Sequence, residues 1–118
     1  MRAVRHERVR ELLKRELGEI LRREMPLAET GLVSVNSIEL SDDLQHAVIF
    51  VSILGNAEQT KAAARVLERD AVRFQNLVGR SVVLRYTPRL RFVPDDSIER
   101  GNRVLKILEA LPPPAPTP

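Results

Sequence analysis

Side chains able to do acid–base or covalent chemistry are few and scattered in this sequence. There is no cysteine, which excludes disulfides, thiolate metal sites and cysteine nucleophiles. His6 stands in a charged amino-terminal stretch and His46 opens an apolar run, and neither belongs to a triad-like pattern. Asp42/Asp43 and Asp95/Asp96 are adjacent in the chain, so their carboxylates point different ways and read as turn or cap residues. The five glycines never form a phosphate-cradling GxGxxG or GxxxxGK[ST] loop. Metal binding needs several His, Cys or carboxylate ligands converging, and no such spacing is present. The sequence therefore predicts no catalytic residue, no metal site and no cofactor. Arginine, by contrast, supplies 16 of the 19 basic residues. A guanidinium holds phosphate bidentately and stacks on bases, so the chemistry most open to this chain is ionic recognition of a polyanion.

The placement of the arginines carries more information than their number. No acid lies between Arg80 and Arg91. Over residues 82–92, Val82, Leu84, Tyr86, Leu90 and Phe92 fall on one parity, and Arg85, Thr87, Arg89 and Arg91 on the other. Period-two alternation predicts a strand with one face in a core and a cationic face in solvent. Upstream, Lys61, Arg65, Arg69 and Arg73 recur at four-residue spacing, a slowly drifting stripe on one side of a helix. Arg8, Arg15 and Arg22 recur every seven residues along a first helix, a pattern that an ordinary solvated face would also show.

The elements that must position these groups follow from periodicity. Residues 4–25 predict a helix with Val9, Leu12, Leu13, Leu17, Ile20 and Leu21 in one apolar stripe, supported by Glu11→Arg15 and Glu19→Arg23 pairs and stopped at Pro26. Residues 27–31 read as a loop. Residues 32–41 read as a strand whose alternation slips between Val35 and Ile38, which predicts a bulge near Asn36 and Ser37. A polar turn at 41–45 leads to a second strand, 46–54, apolar enough to be buried on both faces. Asn56 with Gln59 forms a capping-box signal for a long helix over 56–78, with Gly79 as its stop. Its core face is Ala63, Val66, Leu67, Ala71, Phe74, Leu77 and Val78. Pro88 places the arginine strand on a sheet edge. A short helix follows from Asp96, and Pro-rich residues 112–118 read as a disordered tail.

A chain of 118 residues with 43% hydrophobic content fits one domain, here residues 3–111. No apolar run approaches the roughly 20 residues that span a bilayer, and no secretory signal is visible, so the reading is a cytoplasmic protein without a membrane partner. The net charge of +3 is mild. The fold class predicted is α+β, a three-stranded sheet with helices over one face. Its order of elements fits a KH-type RNA-binding unit, but the GXXG loop that clamps nucleotides in such units is missing.

Taken in order, the chain resembles the ribosome-binding factor A family over roughly residues 3–111. The resemblance is carried by Leu17, Ile20, Leu21, Arg23 and Glu24 in the first helix. It continues through Val35, Ile38, Glu39, Leu40, Ser41, Asp43, Leu44, Ala47, Ile49 and Val51 in the hairpin. It resumes at Leu77, Val78, Gly79, Arg80, Leu84, Arg85, Pro88, Leu90 and Phe92, and ends at Asp95/Asp96, Ser97, Ile98 and Gly101. It implies a type II KH-like domain (helix–strand–strand–helix–kink–helix–strand, with a short carboxy-terminal helix). The function it implies is binding to the small (30S) ribosomal subunit and its 16S rRNA, toward the 5′ terminal region, during late maturation. It also implies a part in 16S rRNA end processing, importance in the cold, and release by an assembly GTPase. The chain departs from the family at the kink, where Ala-x-Gly is usual and Asp70, Ala71 and Val72 stand instead.

The resulting expectation is a non-catalytic, monomeric rRNA-binding assembly factor. Its candidate RNA contacts are Arg8, Arg15, Arg65, Arg69, Arg73, Arg80, Arg85, Arg89 and Arg91, with the helix bend at Asp70, Ala71 and Val72. The alternative is a protein-interaction module that dimerises through its edge strand without RNA affinity. A DNA-binding regulator is disfavoured because no helix-turn-helix signature is present.

Overall fold

The computed structural model describes residues 2–84 and 86–95, with side chains from residue 5 on. The elements are α1 (Arg2–Glu24), α2 (Leu27–Thr30), β1 (Leu32–Leu40), β2 (His46–Leu54), α3 (Ala57–Arg69), α4 (Ala71–Ser81) and β3 (Arg89–Pro94). The sheet order is β1-β2-β3, with β1 antiparallel and β3 parallel to the central β2. This is an α+β layer structure in the order expected of a type II KH-like domain. The expected short helix from Asp96 and the tail at 112–118 lie outside the described residues.

The central strand behaves as its apolar run requires. His46, Ala47, Val48, Ile49, Phe50 and Val51 are all buried. Ala47, Ile49 and Val51 face the main core, with Leu13, Leu17, Ile20 and Leu21 of α1, Ala63 and Leu67 of α3, and Phe74 and Val78 of α4. Val48 and Phe50 face the other way and cluster with Val93 of β3. The predicted bulge is present: the pairing register shifts between Val35 and Ser37. The shift lets Val33 and Val35 before it, and Ile38 and Leu40 after it, pack on the same core.

The predicted turn is closed by hydrogen bonds around Asp43. Ser41 Oγ donates to Asp43 Oδ1 at 2.7 Å, and the Gln45 N–H donates to the same oxygen at 3.1 Å. The Ser41 hydroxyl, first, holds the Asp43 carboxyl below its ordinary range. The capping box at α3 also forms: the Gln59 N–H donates to Asn56 Oδ1 at 2.8 Å, and the Asn56 N–H to Gln59 Oε1 at 2.9 Å.

Several expectations are corrected. Residues 27–30, read as loop, form one helical turn, closed by the Thr30 N–H and hydroxyl donating to the Pro26 carbonyl. The helix read over 56–78 from periodicity is two helices, broken at Asp70, where the family resemblance placed the kink. Gly79 does not stop the second one, which runs on to Ser81. Its missing side chain serves packing instead: a Cβ there would stand 3.0 Å from Thr87 Oγ1. The strand read over 82–92 is shorter and later, Arg89–Pro94. Pro88 has no N–H to extend the ladder, and pairing starts where the Arg89 N–H donates to the Gln45 carbonyl at 2.9 Å. The parity read from the sequence holds inside it, with Leu90 buried and Arg89 and Arg91 exposed. The helical pairs Glu11→Arg15 and Glu19→Arg23 are not formed. Arg15 reaches Glu16 at 3.8 Å and Arg23 reaches Glu24 at 3.3 Å.

Two glycines make opposite demands. Gly31 has φ +66°, and a Cβ there would lie 2.5 Å from the Leu54 carbonyl oxygen. Gly18 sits in the interior of α1, where a Cβ would meet only Arg22 Nη2 at 3.7 Å. Gly31→Ala should lower unfolding stability by about 1–3 kcal/mol. Gly18→Ala should raise it by about 0.5–1 kcal/mol, because glycine inside a helix is the poorer choice. Urea unfolding of the two variants checks both signs.

Candidate nucleic-acid interface

The candidate arginines do not form one surface. They fall into three places, set by the elements that carry them. Arg85 lies outside the described residues.

The first place is the hinge between α3 and α4. Asp70 closes one helix and opens the next with φ −103° and ψ 15°. The flanking helical bonds are kept: the Asp70 N–H donates to the Val66 carbonyl at 2.8 Å, and the Phe74 N–H to the Asp70 carbonyl at 2.9 Å. Below the bend Leu67 and Phe74 are buried, and Phe74 meets Phe92 of β3 edge-to-face with ring centres 6.0 Å apart. Val72 stands in solvent and Ala71 is partly covered. The Asp70 carboxylate takes both Arg69 Nε and Nη2 at 3.0 Å, a bidentate clasp. Arg73 Nη2 lies 3.6 Å from the same carboxylate, while its Nη1 donates to Glu24 at the end of α1. The Arg73 guanidinium also lies 5.0 Å from the centre of the Phe74 ring. Two candidate RNA contacts, Arg69 and Arg73, are thus already engaged in a network that joins α1 to the bend.

The electrostatics agree with that geometry. Arg73, ahead of Arg23, holds the Glu24 carboxyl below its ordinary range, and Arg69 does the same for Asp70. Arg69 and Arg73 are in turn raised by Asp70 and Glu24.

The second place is the β3 edge and the end of α4. Leu90 and Phe92 belong to the main core, so Arg89 and Arg91 point to the opposite face of the sheet, where Arg91 lies beside Val48. Arg80 is exposed near the end of α4, and Arg65 is exposed apart from both on α3, beside Glu68 and Arg69. Among the described residues these four make no ion pair.

The third place is a groove between α1 and β1, at the other edge of the sheet from β3. Arg8 and Arg15 line it, as do Lys14 and Arg22. Lys14, Arg22 and Gly18 were not among the candidate site residues. Their signals in the sequence are the seven-residue arginine series and a glycine inside an otherwise strong helix.

His6 Nε2 lies 3.1 Å from the Ser41 carbonyl oxygen, tying α1 to the hairpin turn. Asp95 takes a hydrogen bond from Asn36 Nδ2 at 2.6 Å, and its N–H donates to the Val51 carbonyl. The flagged histidine and carboxylate therefore hold the fold together. Among the described residues no group of His and carboxylates is placed to hold a metal ion, and no helix is long and apolar enough to cross a membrane.

A three-stranded KH-like sheet with a bent helix pair, lacking a GXXG loop and edged by arginines, defines a narrow class of small α+β domains. A sequence model of the family described as Ribosome-binding factor A matches residues 5–108. The chain belongs to that family. It is 38% identical over 109 residues to ribosome-binding factor A of Halothermothrix orenii, covering 92% of this chain and 89% of that one. It is 41% identical over 107 residues to the Synechocystis protein, covering 89% and 80%. Its fold is similar to the crystal structure of ribosome-binding factor A from Thermus thermophilus, with TM-score 0.65, 27% identity and coverage of 75% and 93%. A homology model of the Thermus thermophilus protein, fitted into a cryo-EM map of its complex with the 30S subunit, matches with TM-score 0.60, 30% identity and coverage of 70% and 86%.

The hinge network makes a specific prediction. Both carboxyls are held low in the folded state, so their ion pairs are complete above the ordinary carboxyl range near ~4 and are lost as pH falls through the folded values. In Arg73→Ala, Glu24 should return toward its ordinary range while Asp70, still clasped by Arg69, stays low. Carboxyl-carbon NMR titration reads the two groups separately. An unmoved Glu24 would show that the Arg73–Glu24 contact is not formed in solution.

Proposed function

We propose that this protein is a non-catalytic assembly factor of the small ribosomal subunit, acting by binding 16S rRNA near its 5′ terminal region during late maturation. The observation that carries the reading is the set of exposed arginines that make no ion pair among the described residues, Arg65, Arg80, Arg89 and Arg91, on a chain of the ribosome-binding factor A family. A guanidinium clasped by a carboxylate has part of its charge neutralised and fewer N–H donors left for a phosphate than one without such a partner. We take Arg65, Arg80, Arg89 and Arg91, together with Arg85 of the same basic run, as the principal phosphate contacts. Arg69 and Arg73 act chiefly by holding the helix bend in shape.

The absence of a GXXG loop and the carboxylate at the bend set the mode of binding. Asp70, clasped by Arg69, offsets the positive charge at the point where a KH unit ordinarily clamps the backbone. Recognition then rests on backbone charge and the shape of the folded rRNA, with assistance to 16S end processing following from occupancy of the immature site. The protein acts as a cytoplasmic monomer, and an assembly GTPase releases it from the finished subunit.

Phosphate-dominated binding falls steeply with salt, and each lost contact removes about one unit from the slope of log K against log salt. Arg89→Glu with Arg91→Glu should weaken co-sedimentation with immature 30S subunits by about tenfold or more at physiological salt and flatten the salt slope by about two. Its melting temperature should be unchanged, since both side chains stand in solvent. Full binding by the double variant, with an unaltered slope, would remove β3 from the interface.

A further inference from the structure

We propose that the groove between α1 and β1 is a docking site for an extended acidic segment of a protein partner, separate from the rRNA-binding arginines. The groove encloses about 1010 Å³. One wall is the α1 face carrying Arg8, Leu12, Arg15, Gly18 and Arg22, and the other is residues 32–35 of β1. Three independent features point to the same occupant.

The first is the strand edge. Among the described residues β1 is bonded to β2 on one side only, and the bulge that interrupts its ladder comes after Val35. Residues 32–35 therefore offer a short regular edge that an added strand can pair with. The second is charge. Arg8, Lys14, Arg15 and Arg22 line the groove against Glu11 and Glu19, four cations to two carboxylates. Arg15 has a distant partner in Glu16, and Arg8, Lys14 and Arg22 make no ion pair among the described residues. The surplus favours an acidic segment. The third is Gly18. Among the described residues nothing requires glycine there, because a Cβ would meet only the Arg22 side chain at 3.7 Å. Its effect is to leave the helix wall open at the middle of the groove.

The groove suits a peptide better than a nucleotide strand. It has no aromatic side chain on which a base could stack, and its apolar lining is Leu12, Leu32, Val33 and Val35. Alternating apolar and acidic residues on an added strand would place one set on that lining and the other against the arginines.

The test is amide NMR of the labelled full chain with three probes: a capped peptide of alternating Glu and Val, its Lys and Val counterpart, and an oligouridylate. The Glu–Val peptide should shift the amides of residues 32–35 and of the α1 turn around Gly18, and the other two probes should not. Gly18→Leu should weaken the peptide about tenfold or more while circular dichroism shows an intact fold. Arg15→Glu with Arg22→Glu should do the same without filling the groove. Equal shifts from both peptides, shifts from oligouridylate alone, or no shift at residues 32–35 would each overturn the proposal. Because Arg89 and Arg91 are untouched in these variants, 30S co-sedimentation separates this outcome from failure of the rRNA reading.

Discussion

Strand β2 keeps six consecutive residues, His46 to Val51, out of water, and the rest of the fold is arranged around that requirement. A strand with apolar groups on both faces needs a neighbour at each edge and cover on each side. The neighbour at one edge comes from a tight hairpin, so β1 is antiparallel. The neighbour at the other edge, β3, is parallel, and a parallel pair cannot be joined by a turn. The chain must cross over, and it does so through α3 and α4. Full burial of a Phe side chain contributes roughly 1.5–3 kcal/mol. Phe50 on one face and Phe74 under the crossover, both at 0% exposure, anchor the two layers.

The crossover has to bend to lie on a small sheet, and here neither glycine nor proline supplies the bend. The break falls at Asp70, a residue that favours ends over helix interiors because its carboxylate competes for local partners. Its carboxylate is turned outward into the Arg69 clasp, while Leu67 and Phe74 on either side are drawn into the core. The bend is therefore a compromise between two apolar stripes that must face one sheet and a helix that would otherwise run straight. Arg73 adds a long-range tie to α1 through Glu24, and partly exposed pairs of this kind fix orientation more than they add stability.

Much of the architecture could be read from the chain because the signals were local. The β2 apolar run, the parity slip at Asn36 and Ser37, and the Asn56–Gln59 box each name their own structure within a few residues. The failures share a different cause. Gly79 looked like a helix stop because its usual role is conformational, whereas here it makes room for Thr87. Residues 82–88 alternate as a strand would, so periodicity alone places the start of β3 earlier than the structure does. The ladder is available only where β2 offers partners, from His46 onward. The break at Asp70 was legible as a departure from a family pattern, but its clasp depends on a rotamer choice that spacing does not specify.

The arginines show the same division most plainly. Spacing rules put Glu11 with Arg15 and Glu19 with Arg23, yet on an exposed helix such a pair is worth only a few tenths of a kcal/mol. A competing neighbour is enough to redirect it, as Glu16 and Glu24 do. Which cations remain available to a polyanion is then settled by tertiary contacts, and the one between Arg73 and Glu24 spans 49 residues. Stripes read on single helices do not show which guanidiniums are already engaged by a carboxylate. Once the carboxylates brought in by folding are counted, Arg69 and Arg73 belong to the hinge. Arg8 and Arg15 line a groove over β1, and Arg89 and Arg91 on β3 make no ion pair among the described residues. A basic sequence thus becomes a protein whose Arg89 and Arg91 lie on one edge strand of the sheet and whose Arg8, Arg15 and Arg22 lie over the other.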